Sequence, residues 1–324
     1  MSDNVLKVSS LKVVFPTEQG LIRAVEGVDI AINSGECVAI VGESGCGKSV
    51  TSLAMMKLLS TPPALIDAKE HIFNGKDIKD LTDKQMQNQR GSDMSMVFQD
   101  ALSALNPVMT VGNQIDEVFI KHKGLSKKEA RKASIETLRK VGVPSPELRY
   151  KDYPHQLSGG MRQRALIAMA FACEPTLMIA DEPTTALDVT IQAQVLDLLK
   201  ELQKANNMAL LLITHDLAIV KHMADRVYVM YSGKVMEEAT TSEVFNDPKH
   251  PYTQKLLQSI PSIKKKVKRF TQITGNVPHP LHKPSGCYFH PRCEFASEKC
   301  REKMPPLFER CNRKVRCYLV DEDK

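Results

Sequence analysis

The sequence predicts an α/β protein: a sheet with parallel strands flanked by helices, a helical subdomain inserted into it, and a small cysteine-rich C-terminal extension. Three observations carry this. The short apolar runs Cys37-Val-Ala-Ile-Val41, Leu177-Met-Ile-Ala180 and Leu210-Leu-Leu-Ile213 read as strands buried on both faces of a parallel sheet. A glycine loop, Gly42-Glu-Ser-Gly-Cys-Gly-Lys48-Ser49, follows the first run directly. Five of the eight cysteines fall between Cys287 and Cys317.

Composition bounds the classes the chain can belong to. With 324 residues, 42% hydrophobic and 25% charged, it has the balance of a soluble protein large enough for two domains, which excludes disorder and fibrous architecture for most of it. Its longest apolar stretches, such as Ala165 to Cys173 and Met208 to Ile213, are shorter than the ~18 residues a spanning helix needs, so no membrane crossing is expected. Met1-Ser-Asp-Asn-Val-Leu-Lys lacks the features of a secretory signal, so a reducing compartment is expected, with the cysteines as thiols or ligands. Net charge is +6, and basic residues cluster in Lys264-Lys265-Lys266-Val267-Lys268-Arg269, read as a solvated linker face in preference to nucleic-acid or lipid binding, so no nucleic-acid partner is expected.

Along the chain, residues 1–260 carry alternating strand and helix patterns, and residues 261–324 form an extension rich in Pro, Lys and Cys. Residues from about 101 to 173 have no strong strand and a charged helical pattern at Lys127 to Val141, as expected of an inserted helical subdomain.

The loop Gly42 to Ser49 fits G-x-x-x-x-G-K-S, follows an apolar strand and precedes Val50 to Leu59, which has helix-forming composition with apolar spacing at Val50, Leu53 and Ala54. Glycines at 42, 45 and 47 let backbone N–H groups wrap phosphate oxygens at a helix N-terminus. Lys48 is expected on the β- and γ-phosphates and Ser49 on Mg²⁺. Strand Leu177-Met-Ile-Ala180 ends in Asp181 and Glu182, where Asp181 would hold the Mg²⁺ shell and Glu182 would act as general base on water. His215, after strand Leu210 to Ile213 and Thr214, could reach a γ-phosphate or orient the water. Gln99, after Met96-Val-Phe98, could touch Mg²⁺ or water and whatever the helical insert contacts. Leu157-Ser158-Gly159-Gly160-Met-Arg-Gln163 opens a second helix N-terminus suited to an anion.

Two phosphate grips in one chain need an explanation, and the set of motifs resembles the ATP-binding cassette (ABC) family over nearly the whole chain. The implied fold is a P-loop NTPase with a mixed sheet core. On this resemblance Gly42, Ser44, Gly45, Cys46, Gly47, Lys48 and Ser49 form the Walker A loop around ATP, and Gln99 is the Q-loop glutamine near Mg²⁺. Asp181 and Glu182 are the Walker B pair and His215 the switch histidine. Ser158, Gly159, Gly160 and Gln163 belong to the signature, which in the family closes on nucleotide held by a partner, and Ala186-Leu187-Asp188 match the D-loop. Phe15 is the candidate for stacking on adenine, the alternative being an ordinary strand aromatic.

Finer features resemble the oligopeptide/dipeptide (and nickel) importer subfamily. They are Phe98-Gln-Asp100 with Ser103-Ala-Leu-Asn-Pro107, Ala180 through Gln192, and His250-Pro-Tyr-Thr253, with Met161 pointing to the D-type subunit. Ala101 departs from the usual Pro without loss of a chemical group. The resemblance implies a peripheral ATPase on the cytoplasmic side of the membrane. It would work with a second, F-type ATPase subunit, two transmembrane permease subunits and an extracytoplasmic solute-binding protein. Nickel, glutathione or another small solute is the alternative cargo. A soluble mechanical ATPase of DNA repair or translation is the alternative of another class, disfavoured by the single cassette and the lack of a long coiled coil.

The tail cysteines have spacings x5, x6, x10 and x5, none of them the C-x-x-C of a common zinc knuckle. The tail resembles the extension of peptide-importer ATPases in which four cysteines hold a [4Fe-4S] cluster, matching Cys287, Cys293, Cys300 and Cys317, with Cys311 as the extra thiol. Zinc, with His290 or Cys311 as substitute ligands, and unliganded thiols remain open. A staple would suit a tail too short to bury a core of its own. Cys37, Cys46 and Cys173 read as small buried side chains.

Overall fold

The computed structural model describes residues 4–185, 187–259, 273–310 and 313–322. The basic run 264–269, Ala186 of the D-loop motif and Cys311 lie outside the described residues. The chain divides into two compact units, one of Met1–Leu6, Ile32–Glu36 and Phe73–Leu212, the other of Lys7–Ala31, Cys37–Ile72 and Ile213–Lys324.

In the first unit the strands Met94–Val97 and Leu177–Asp181 pair in parallel, Met94 opposite Leu177 and Val97 opposite Ala180, and all nine residues are buried. Unbroken burial is what a run without polar alternation predicts. Between them lie the helices Val111–Lys123, Lys127–Lys140 and Gly159–Phe171, the second of which coincides with the charged helical pattern at Lys127 to Val141. Each begins at a hydroxyl cap. Thr110 accepts from the Asn113 N–H, and Ser126 exchanges bonds with Glu129 in a capping box. Inside the insert the buried carboxylate of Asp116 accepts from Ser134 Oγ and Tyr150 Oη, both at 2.5 Å. Burial and the adjacent Asp116 push the Tyr150 phenol up to about 12, so Tyr150 stays a donor.

In the second unit Cys37–Val41 pairs in parallel with Arg226–Tyr231, which pairs antiparallel with Lys234–Thr240. Arg313–Val315 and then Phe308–Arg310 continue the sheet antiparallel, giving the mixed sheet expected. The last two strands come from the cysteine-rich extension. Phe289 of the extension is fully buried in one core with Val227, Val229, Leu217 and Val220. It packs against Tyr231 (5.3 Å between centroids) and Tyr252 (5.2 Å). The extension therefore gains its burial by sharing the core behind the phosphate-loop strand. Lys283 and Tyr288 anchor it further, both bonding Glu26.

His250-Pro-Tyr-Thr253 acquires a local reason. His250 caps the helix Pro251–Gln258 by accepting from the Tyr252 N–H through Nδ1, with Pro251 at the first helical position, where its missing N–H is harmless. Burial pushes the imidazole down to about 3, keeping it neutral and able to accept. Nearby, the fully buried Glu237 carboxylate accepts from the Lys249 and His250 N–H groups. Among the described residues no helix is long and apolar enough to cross a membrane.

Candidate functional site

The strand Cys37–Val41 delivers the chain into Gly42, and Lys48 opens the next helix, Lys48–Met55. This helix differs from the predicted Val50 to Leu59. The loop's last glycine is itself the N-cap, and Lys57, in the left-handed conformation (φ 51°), ends the helix. There Leu58 N–H bonds Leu53 O and Lys57 N–H bonds Ala54 O, a Schellman pair. Two of the loop's glycines are sterically required. A Cβ at Gly42 would lie 2.2 Å from Met230 O, and one at Gly47 (φ 104°) 2.6 Å from Ala24 O.

Lys48 is 6% exposed, and its ammonium folds back on the loop, donating to Gly42 O at 2.8 Å and Glu43 O at 3.1 Å. These two carbonyls hold the charge at the mouth of the loop, where phosphate oxygens would replace or join them. Ser44 and Gly45 are exposed, Ser49 half-buried. Cys46 is buried, and burial outweighs the nearby Lys48 to push its thiol up, consistent with a small packing residue contributing its backbone. In the same unit His215 is exposed just past the strand Ala209–Thr214, and Phe15 is half-buried on the strand Asn4–Thr17.

The first unit gathers the other predicted residues. Gln99 stands exposed two residues past Met94–Val97, and its Nε2 donates to Glu182 Oε2 at 3.0 Å. Thr185 Oγ1 donates to the same oxygen at 3.0 Å. Asp181 closes its strand, 5% exposed, while Glu182 adopts φ 45°, a left-handed backbone that a side chain enters at a cost of about 1–2 kcal/mol. That turn aims the carboxylate away from the strand line and toward Gln99. Ser158 caps the helix Gly159–Phe171 through a bond from Met161 N–H, and Asp188 caps Val189–Ala205 through one from Ile191 N–H. Gly160 packs where a Cβ would meet Ile191 at 2.6 Å, and Gln163, 3% exposed, has a buried Nε2 without a hydrogen-bond partner. Gln99, Gly159, Gln163 and Thr185 line one cavity. Sequence reasoning missed Thr185, whose signal was its place three residues beyond Glu182. It also missed Tyr252, whose Oη accepts the Glu43 N–H at 2.9 Å.

Cys287, Cys293, Cys300 and Cys317 line a single cavity in the second unit, beside His250, His290 and Phe289. Burial pushes the Cys287 thiol up to about 11 and Cys317 up to about 12, and in both the neighbouring cysteines add to the rise. Among the described residues no group of three or more His, Cys, Asp or Glu is placed to hold a metal ion, so the shared cavity lining does not amount to a ready-made metal site. Cys37 and Cys173 are buried, one in each unit.

Two family models match: the ABC transporter model over residues 25–185, and the oligopeptide/dipeptide transporter C-terminal region over residues 236–300. The oligopeptide transport ATP-binding protein AppD of Bacillus subtilis is 49% identical over 319 residues, covering 98% of this chain and 97% of that protein. The dipeptide transport ATP-binding protein DppD of the same organism is 48% identical over 321 residues, covering 99% and 96%. Among solved structures, the dimeric bacterial ABC transporter cassette MJ0796 superposes with a TM-score of 0.65 at 28% identity, over 73% of this chain and 98% of that one. The same cassette is known in a post-hydrolysis state bound to ADP and Pi, with the same TM-score, identity and coverage. The chain therefore belongs to the ABC transporter family, as an ATP-hydrolysing cassette of the branch that carries the oligopeptide/dipeptide transporter C-terminal region.

Proposed function

We propose that this chain energises the import of oligopeptides or dipeptides, peripheral to the membrane on its cytoplasmic side, with two permease subunits, an extracytoplasmic solute-binding protein and a second ATPase subunit. The observation that carries the reading is the pairing, in one chain, of a full set of ATP-hydrolysing side chains with a C-terminal region of the oligopeptide/dipeptide type. Relatives matched over nearly their whole length are named for peptide transport. The F-type assignment of the second ATPase rests on the sequence resemblance alone. In domain terms, residues 1–260 are the cassette, about 101–173 its helical subdomain and 261–324 the extension.

In this reading the N–H groups of Gly42 to Ser49 and the Lys48 ammonium hold the phosphates, and Phe15 stacks on adenine. A Mg²⁺ ion held by Ser49, Asp181 and Gln99 would neutralise charge developing on the phosphate oxygens. Glu182 accepts the proton of the attacking water, with Gln99 and Thr185 steadying its carboxylate through the bonds described. His215 bonds the γ-phosphate. Ser158, Gly159, Gly160, Gln163 and Asp188 serve the nucleotide of the partner subunit, so each site is complete only when two subunits close, and closure drives the permeases.

For the extension we propose that Cys287, Cys293, Cys300 and Cys317 hold a [4Fe-4S] cluster. A four-thiol donor set around one cavity suits such a cluster, and it suits zinc as well, with His290 or Cys311 as substitute ligands, so metal and sulfide analysis decides between them. Iron, sulfide and visible absorbance in anaerobically purified protein are expected, and their absence would end the cluster assignment. Copurification from gently solubilised membranes with Mg-ATP tests the whole reading. Two polytopic membrane proteins and a second ATPase are expected. Ribosomal or DNA-repair proteins instead would move the chain to a soluble mechanical role.

A further inference from the structure

The cysteine-rich extension touches the phosphate loop through an ion pair. Arg292 closes the short 3-10 turn His290–Arg292, between Cys287 and Cys293. Its guanidinium forks onto Glu43, one terminal nitrogen donating to Oε2 at 2.7 Å and the other to Oε1 at 3.0 Å. The side chain is 5% exposed, and its other donors reach Thr274 O (3.1 Å), Tyr231 Oη (3.2 Å) and Ile273 O (3.3 Å). A planar bidentate pair with every other donor engaged fixes the direction of its partner as well as its distance.

That partner is the second residue of the loop Gly42 to Ser49, and it is gripped at each of its polar groups. The carboxylate lies on Arg292, the N–H on Tyr252 Oη at 2.9 Å, and the carbonyl takes the Lys48 ammonium at 3.1 Å and the Cys46 N–H at 3.3 Å. Turning Glu43 would therefore move the carbonyl on which Lys48 rests and the N–H groups that follow it. A carboxylate beside a phosphate site also repels the ligand, and its side chain is 27% exposed. The guanidinium cancels that charge.

We propose that Arg292 is a positioning residue for nucleotide binding: from the extension it sets the conformation and charge of the phosphate loop through Glu43, so that the extension tunes the affinity for ATP. This rests on reading Gly42 to Ser49 as the nucleotide loop. A strut that merely fastened the extension would alter thermal stability and leave nucleotide affinity alone.

The test is a double-mutant cycle on the full chain, with Kd for a fluorescent ATP analogue and with KM and kcat for ATP in the assembled transporter. Arg292→Met should raise Kd and KM about tenfold with kcat within about twofold, the pattern of a lost binding contribution. Adding Glu43→Gln should recover part of that loss, because the unpaired carboxylate is gone. Arg292→Lys, which keeps the charge and loses the fork, should fall between wild type and Arg292→Met, and it serves if Arg292→Met does not fold. A Kd within twofold of wild type in a folded Arg292 variant, or strictly additive effects in the cycle, would overturn the proposal. Wild-type protein that bound no nucleotide would instead sink the reading of the loop itself.

Discussion

Truncating Phe289 to alanine should destabilise the unit that holds the phosphate loop, although Phe289 lies in the extension. The ring is fully buried and touches Tyr231, Tyr252 and His250, with centroids 5.3, 5.2 and 5.9 Å away. Removing a buried phenyl from a site that cannot collapse loses its transfer energy and leaves a cavity, together about 3–5 kcal/mol. The Tyr231 and Tyr252 rings belong to the sheet and to the helix Pro251–Gln258, so little backbone can move in to fill the space. Against a typical total of about 5–15 kcal/mol this is a large fraction. Phe289→Leu, which nearly conserves volume, should lose under about 1.5 kcal/mol. The assay is guanidinium denaturation followed by far-UV circular dichroism and by release of a bound fluorescent nucleotide. Both signals should move to lower denaturant together in Phe289→Ala. Nucleotide release at the wild-type midpoint, with only part of the dichroism shifted, would show that the extension folds apart from the core, and the shared-core account would fail.

Three further outcomes follow from the same geometry. Glu182→Gln should bind ATP and hydrolyse it about 10²–10⁴-fold more slowly, trapping two subunits closed; steady-state turnover at the wild-type rate would remove Glu182 from the base role. Gly42→Ala places a methyl 2.2 Å from Met230 O, so a folded variant should show no measurable nucleotide binding in equilibrium titration; near-normal affinity would mean the loop has room that its packing denies. Tyr150→Phe deletes one of the two hydroxyl donors to buried Asp116, leaving Ser134, and should lower stability by about 1–3 kcal/mol in denaturant melts; a change under about 0.5 kcal/mol would mean the carboxylate is satisfied without it.

Much of the cassette was legible because its signals are local. Cys37–Val41 was bounded correctly, since an unbroken apolar run ending at a glycine loop has few other readings. The helix after the loop was displaced because Val50, Leu53 and Ala54 suggested an apolar face, whereas the buried positions are Lys48, Thr51, Ser52, Ala54 and Met55. There the phosphate loop, rather than hydrophobic periodicity, dictates where the helix starts. The bond between Gln99 and Glu182 spans 83 positions and was anticipated only as two residues near one chemistry. The union of Arg292 with Glu43 spans 249 positions and left no trace in the spacing. The cysteine pattern likewise suggested a stapled tail and gave no sign that Phe289 fills the core behind the phosphate loop. Long-range packing is decided by shape, which a linear pattern does not encode.

The central claim is that ATP hydrolysis by this chain is coupled to peptide import, and the most direct measurement is the ATPase rate of the purified, membrane-reconstituted assembly with and without peptide-loaded solute-binding protein. The account predicts stimulation by oligopeptides or dipeptides that disappears in Glu182→Gln. A rate indifferent to peptides but raised by nickel or glutathione would contradict the peptide assignment, and a rate indifferent to any loaded binding protein would contradict coupled import altogether.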